Sequence, residues 1–213
     1  ADARAIFKCM DIGTAKPPRE WNEVIPHHLI DCCDVTETYN AMDFRRDALK
    51  LIDEINSRGA KALVVGGSTL YLHALFGEFF EGPSADEELR EQLRARPLDE
   101  LYAELQHVDP ESANRIHPND EQRIVRAFEV FKITGETITA LQNRSEPPPH
   151  DFIKIGLTCE RSVIHKRIDE RVDEMMEEGL LEEVKGLVDK VPVGSQAYKS
   201  NGYKELFAHL AGE

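Results

Sequence analysis

Apolar residues change rhythm along this chain, and the changes mark its parts. Leu63, Val64 and Val65 form a short apolar run without alternation. That is the pattern of a strand buried on both faces of a parallel sheet. Gly66 and Gly67 follow, where the backbone can turn tightly and come close to a ligand. Ser68 and Thr69 then place hydroxyls at the start of a helix predicted to run to Phe76. Upstream, Leu29 and Ile30 read as a short strand core. Between these segments Asn40 is an N-cap with Asp43 three residues on. Phe44, Ala48, Leu51, Ile52 and Ile55 recur at helical spacing, and Gly59 closes that helix. Strand, helix, strand, helix in this order predicts parallel pairing.

After Gly82-Pro83 only helical signals occur, as far as about residue 145. Leu89, Leu93, Leu101 and Leu105 are its apolar anchors. Asn119 or Asp120 caps a helix that Ala127, Phe128 and Phe131 help to bury, and Gly135 ends it. Pro147-Pro148-Pro149 marks a return. Residues 152–157 read as a core strand, and Ile164, Ile168, Val172 and Met175 as the apolar stripe of a long helix. Asn201-Gly202 turns into a short last helix. The pattern predicts an α/β core in two pieces, 1–83 and 147–213, with a helical insertion over 84–146.

Composition narrows the class. At 41% hydrophobic and 31% charged residues, with no run of about 18 apolar positions, the chain reads as globular without a membrane span. No charged-then-apolar leader is visible. The four cysteines contain no C-x-x-C pair, which argues against a zinc site; Cys32 and Cys33 read as small buried hydrophobes of a reduced protein. A formal net charge of −14 excludes coating of nucleic acid by charge alone, yet a few placed arginines suffice for phosphate contacts. His27 and His28 point apart on extended backbone and lack a third ligand, so a hydrogen-bonded structural pair competes with a metal site.

Three groups carry candidate chemistry. Asp2 falls where a strand would end, the edge at which α/β enzymes bind ligands; a solvated terminal acid is the alternative. The chain reads as beginning at the end of a strand. Arg123 and Arg126 are three apart on one helix face, either a solvated face or forks for backbone phosphates. Arg167 and Arg171 are four apart, with Arg161 ahead of them. They suit a polyphosphate leaving group, or pairs with Asp169, Glu170 and Asp173.

Seven stretches, in order, resemble one family. They are residues 11–17 (Asp-Ile-Gly-Thr-Ala-Lys-Pro), 26–31 (Pro-His-His-Leu-Ile-Asp), 66–71 (Gly-Gly-Ser-Thr-Leu-Tyr) and 116–120 (Ile-His-Pro-Asn-Asp). Gln122-Arg123 with Arg126, Arg167-Ile168 with Arg171, and residues 202–205 (Gly-Tyr-Lys-Glu) complete the set. Together they span nearly the whole chain, and it resembles the bacterial tRNA dimethylallyltransferases. The resemblance implies a P-loop NTPase-like parallel-sheet core and an inserted helical domain that grips the anticodon stem-loop. It implies transfer of a dimethylallyl group from dimethylallyl diphosphate to N6 of the adenosine next to the anticodon (A37), with Mg²⁺ as cofactor. Asp2 matches the family's general base, and Arg171, with Arg161 and Arg167, would stabilise the departing diphosphate. Asp2, Ala3, Arg4, Ala5, Ser68, Gln122, Arg123, Ile124, Val125 and Arg126 match the tRNA-contacting positions. No metal-ligating residue is assigned. Nucleotide and ATP binding, a monomer, a cytoplasmic location and no membrane partner complete the expectation.

The chain also departs from the family pattern. No phosphate loop ending in Gly-Lys-Ser/Thr occurs in these residues, Asp2-Ala3-Arg4-Ala5 stands where Asp-Ser-x-Gln is usual, and no zinc-finger extension follows. An enzyme acting on free adenine nucleotide, a non-catalytic tRNA-binding relic and a small-molecule kinase are the competing readings. The insertion and the Gln122-Arg123 run favour tRNA.

Overall fold

The computed structural model describes residues 1–77, 80, 82–144 and 147–212. Among these, helices run in the order α1 (Trp21–Val24), α2 (Ala41–Ser57), α3 (Thr69–Leu75), α4 (Glu87–Arg94), α5 (Leu98–Val108), α6 (Pro110–Arg115), α7 (Glu121–Thr134), α8 (Ile138–Gln142), α9 (Arg161–Glu177), α10 (Leu180–Lys185) and α11 (Tyr203–Ala211). They fall into two compact units, Ala1–Leu75 with His150–Glu213, and Phe76–Pro149.

In the first unit, local signals set the helices. The Asn40 side chain accepts the N–H groups of Met42 and Asp43 while Asp43 accepts that of Asn40, the reciprocal box that starts α2. Gly59, at φ +75°, closes it. The buried face of α2 then packs on α3: Phe44 stacks on Tyr71 at 4.4 Å, and Tyr39 meets Tyr71 edge-on. Ile6, Phe7 and Met10 are fully buried, and so is Tyr203 at the start of α11.

The expected parallel sheet is reduced, among the described residues, to one parallel bridge between Phe7 and Cys33. Cys33 N–H donates to Ile6 (2.9 Å) and Lys8 N–H to Cys33 (3.0 Å). Leu29 and Asp31 take positive φ, so the segment expected as a strand core at Leu29 and Ile30 is a bend. Residues 61–67 and 151–160 lie outside helices and bridges. Leu63 is 85% exposed, Ile153 93% and Leu157 96%. A strand apolar on both faces is stable only with a strand beside it and layers above and below. The described residues provide neither. For the same reason the stripe of α9 is uncovered: the helix forms, but none of its residues is buried. Cys32 is also exposed, whereas Cys33 is buried as expected, and burial pushes the Cys33 thiol up to about 11.

The second unit is a small helical bundle. Leu93, Leu101, Leu105, Ala113, Ile124, Val125, Ala127 and Phe128 form its core, with α5 packed on α6 and α7, and α4 on α7. Side chains cap its helices: Asp86 on α4, Asp109 on α6, Asp120 on α7 and Thr137 on α8. Gly135, left-handed at φ +73°, ends α7.

Candidate functional site

Asp2 heads a tight turn. Its Oδ1 accepts the backbone N–H groups of Arg4 (2.7 Å) and Ala5 (3.1 Å). The turn rests against residues 65–68. The Ala1 nitrogen donates to the Val65 carbonyl (2.6 Å), Ser68 N–H donates to Ala1, and Ser68 Oγ accepts Ala3 N–H (2.9 Å). Gly66, at φ +150°, is required here, because a Cβ would collide with the Ala1 carbonyl. Ser68 thus spends its hydroxyl on the Asp2 turn and leaves its own carbonyl to begin α3. Asp2 is exposed, and Oδ1 accounts for its hydrogen bonds within the described residues. The Arg4 guanidinium donates to the Gln196 carbonyl (2.7 Å), and the Gln196 side chain in turn pairs with both the N–H and the carbonyl of Tyr39. Ala5 is buried, its methyl group packing inward under the turn.

The loop after this turn is tied from far along the sequence. Glu183 Oε2 accepts the N–H groups of Asp11 and Ile12 (2.9 Å each), and Glu183 Oε1 accepts the Tyr203 hydroxyl. Tyr203 Oη accepts Gly13 N–H (3.1 Å). Burial, reinforced by the Glu183 carboxylate, raises the Tyr203 hydroxyl well above its ordinary value, so it remains a donor. Lys16 Nζ, almost enclosed, bridges Asp11 (2.6 Å), Asp31 (2.5 Å) and the Phe7 carbonyl (2.7 Å). Residues 11–17, 26–31 and 202–205 therefore share one cluster. Sequence reasoning missed Glu183, which sits in no motif. Beside the cluster lies an open cavity of about 500 Å³, lined by Lys16, Arg19, His27, Asp31 and Glu178 among others; Asp2 does not line it.

Arg161, Arg167 and Arg171 all lie on α9, and all three are exposed. Among the described residues the ion pair on this helix is Lys166–Glu170, not a pair of these arginines with Asp169, Glu170 or Asp173. No hydrogen bond or ion pair among the described residues joins them to the Asp2 turn.

On α7, Gln122 and Arg123 are exposed, and Arg123 leans on its own capping residue, Asp120, at 3.4 Å. Ile124 and Val125 are 0% and 2% exposed: on a helix, the residues after Arg123 turn into the bundle core. Arg126 is committed on both sides. Its Nη1 donates to Glu129 Oε2 (2.5 Å) and its Nη2 to the Pro83 carbonyl (2.9 Å). Glu129 is fully buried and also accepts Arg90 (2.9–3.0 Å) and the Asp86 N–H (2.7 Å). Burial alone would raise the Glu129 carboxyl; the two arginines and the N–H outweigh it and hold it below the ordinary range. Glu129 occupies the apolar side of its helix, so the spacing of hydrophobic residues gave no sign of it.

Comparison with known proteins places these features. The IPP transferase family profile matches residues 5–213. The tRNA dimethylallyltransferase of Geobacter metallireducens is 43% identical over 220 residues, covering all of this chain and 71% of that protein. That of Thermotoga neapolitana is 44% identical over 216 residues, covering all of this chain and 70% of the relative. Among solved structures, the full-length tRNA isopentenylpyrophosphate transferase from Bacillus halodurans superposes with TM-score 0.65 at 39% identity, over 98% of this chain and 66% of that one. A eukaryotic dimethylallyltransferase described as acting on tRNA gives TM-score 0.75 at 29% identity, over 95% and 50%. The chain thus spans about two thirds to seven tenths of its bacterial relatives. With a profile match over almost its whole length and relatives above 40% identity, the chain belongs to the IPP transferase family.

Proposed function

We propose that this protein transfers a dimethylallyl group from dimethylallyl diphosphate to tRNA, at N6 of the adenosine next to the anticodon. Family membership supports the reaction class, and the Asp2 turn is the observation in the molecule that carries the chemistry. Two backbone N–H groups fix one carboxylate oxygen, which leaves the exposed carboxylate aimed by the backbone rather than free to rotate. An exocyclic amine is a weak nucleophile. A positioned carboxylate accepts a hydrogen bond from N6, then its proton, as the nitrogen bonds to the allylic carbon and the carbon–oxygen bond to diphosphate breaks. The arginines of α9, Arg171 with Arg161 and Arg167, have no ion pair among the described residues and suit the charge that grows on the leaving diphosphate.

Mg²⁺ is the expected companion of the diphosphate. Among the described residues no group of three His, Cys, Asp or Glu side chains could hold a metal ion, so no step here is routed through one. The helical unit supplies the RNA-binding face through Gln122, Arg123 and Arg126. The α/β sheet of a P-loop-like core, a cytoplasmic location and a monomeric state belong to the same proposal. Among the described residues no helix is long and apolar enough to cross a membrane.

The test is isotope transfer from labelled dimethylallyl diphosphate, with Mg²⁺, to unmodified tRNA, with AMP as the control acceptor. Label in tRNA alone is expected. Label in AMP alone would move the protein to free nucleotides, and label in neither would remove the transferase reading. Asp2→Asn keeps an acceptor for the turn but cannot take the proton; turnover is expected to fall by about 10²-fold or more.

A further inference from the structure

Glu129 is the one fully buried acid in the helical unit's arginine cluster, and no motif accounts for it. It lies three residues after Arg126, on the face that also carries Gln122. Its two oxygens receive Arg90, Arg126 and the Asp86 N–H, and Arg126 reaches on to the Pro83 carbonyl. The segment at residues 83–86, the start of α4 and the middle of α7 are thereby joined through one carboxylate. Arg126 keeps a 32% exposed side chain while both terminal nitrogens of its guanidinium are held, one by Glu129 and the other by the Pro83 carbonyl.

We propose that Glu129 is a positioning residue for RNA binding: its buried carboxylate presents the Arg126 guanidinium in one orientation to a backbone phosphate. This rests on the reading above that Arg126 contacts tRNA. An arginine on a free stem must give up rotamer freedom when it binds. One already forked between a carboxylate and a carbonyl has given it up on folding. Glu87 also pairs with Arg90 (2.8 Å), so the cluster's charges cancel, and it is the fixed orientation of Arg126 rather than net charge that favours phosphate.

The sign of the effect separates this from simple charge. Removing a negative charge near RNA strengthens binding if charge alone matters; removing a positioning carboxylate weakens it. Binding of a fluorescently labelled, unmodified tRNA is followed by anisotropy for the parent protein, Glu129→Gln, Arg126→Ala and the double variant. Each single variant is expected to weaken binding about tenfold and to flatten the salt dependence by about one phosphate contact, the double variant no further. A purely structural role lowers the fraction of binding-competent protein, read at the stoichiometric end point, without changing Kd. Unchanged or tighter binding by Glu129→Gln, or additive losses in the double variant, would overturn the proposal while leaving the Arg126 contact intact. No effect of Arg126→Ala would remove that contact, and the proposal with it. Glu129→Asp guards against misfolding: it keeps the charge but withdraws the carboxylate by one methylene. Weaker binding at a full end point is expected, and parent affinity would overturn the proposal.

Discussion

Ser68 shows how one hydroxyl connects two distant segments. It accepts the Ala3 N–H across 65 positions of sequence and so supports the turn that Asp2 heads. Ser68→Ala leaves that N–H without its partner in a part-buried place, and a loss of about 1–2 kcal/mol is expected, checked by denaturant unfolding. Turnover should fall further than stability explains, because the carboxylate loses its backing; a drop matching the stability loss alone would reduce Ser68 to packing. At this scale the sequence was legible where a residue's role is local. Asp2 and Ser68 could be singled out as candidates from their neighbours, though Asp2 heads a turn rather than ending a strand. Glu183 and Glu129 could not, since besides Tyr203 and Arg126 they hold Asp11 and Ile12, and Asp86 and Arg90, which lie 171–172 and 39–43 positions away, and no periodicity records such pairs.

Among the elements, the helices with their own start and stop signals formed where the pattern put them. Asn40 with Asp43, Asp120 and Gly135 are examples. The bundle of the second unit rests on two buried acids. Asp109 accepts Ser112 N–H (3.0 Å), Thr139 N–H (3.1 Å) and the Thr139 hydroxyl (2.7 Å). Burial would raise its carboxyl, but these donors hold it lower, as Arg90 and Arg126 do for Glu129. Both folded-state values lie below the ordinary ones, so the unfolded chain takes up protons first. The stabilisation is full above the ordinary values of 3.8 and 4.5 and is lost as pH falls through the folded-state values. Unfolding midpoints should therefore fall as pH drops below about 4.5, and Glu129→Gln should flatten that slope. An unchanged slope would mean the carboxylate is protonated or solvated in the native protein.

At the scale of the whole molecule two of the three stretches read as sheet strands, 63–65 and 152–157, lie open. Leu63, Val65, Ile153, Ile155 and Leu157 are all at least 70% exposed. An apolar run states that a segment prefers cover on both faces; it does not state which segment gives the cover. That is why the helical half of the architecture was readable and the sheet was not. Hydrogen exchange measures the difference directly. Amides of residues 61–67 and 152–160 should exchange within seconds, whereas those of 44–52 in α2 and 124–130 in α7 should be protected to near the global unfolding limit. Slow exchange across 61–67 and 152–160 would show that these segments are paired in solution.

The clamp that Glu183 and Tyr203 place on the Asp11 loop has a consequence for synthesis. Gly13 leaves the ribosome 190 residues before the tyrosine that secures it. At ordinary elongation rates that interval is roughly 10–40 s. Meanwhile residues 76–149, contiguous in sequence, are complete and free to fold. The helical unit is thus complete first, while the loop around Lys16 waits for Glu183 and Tyr203, and a ribosome that stalls before them releases a chain with a finished bundle and an unfastened loop.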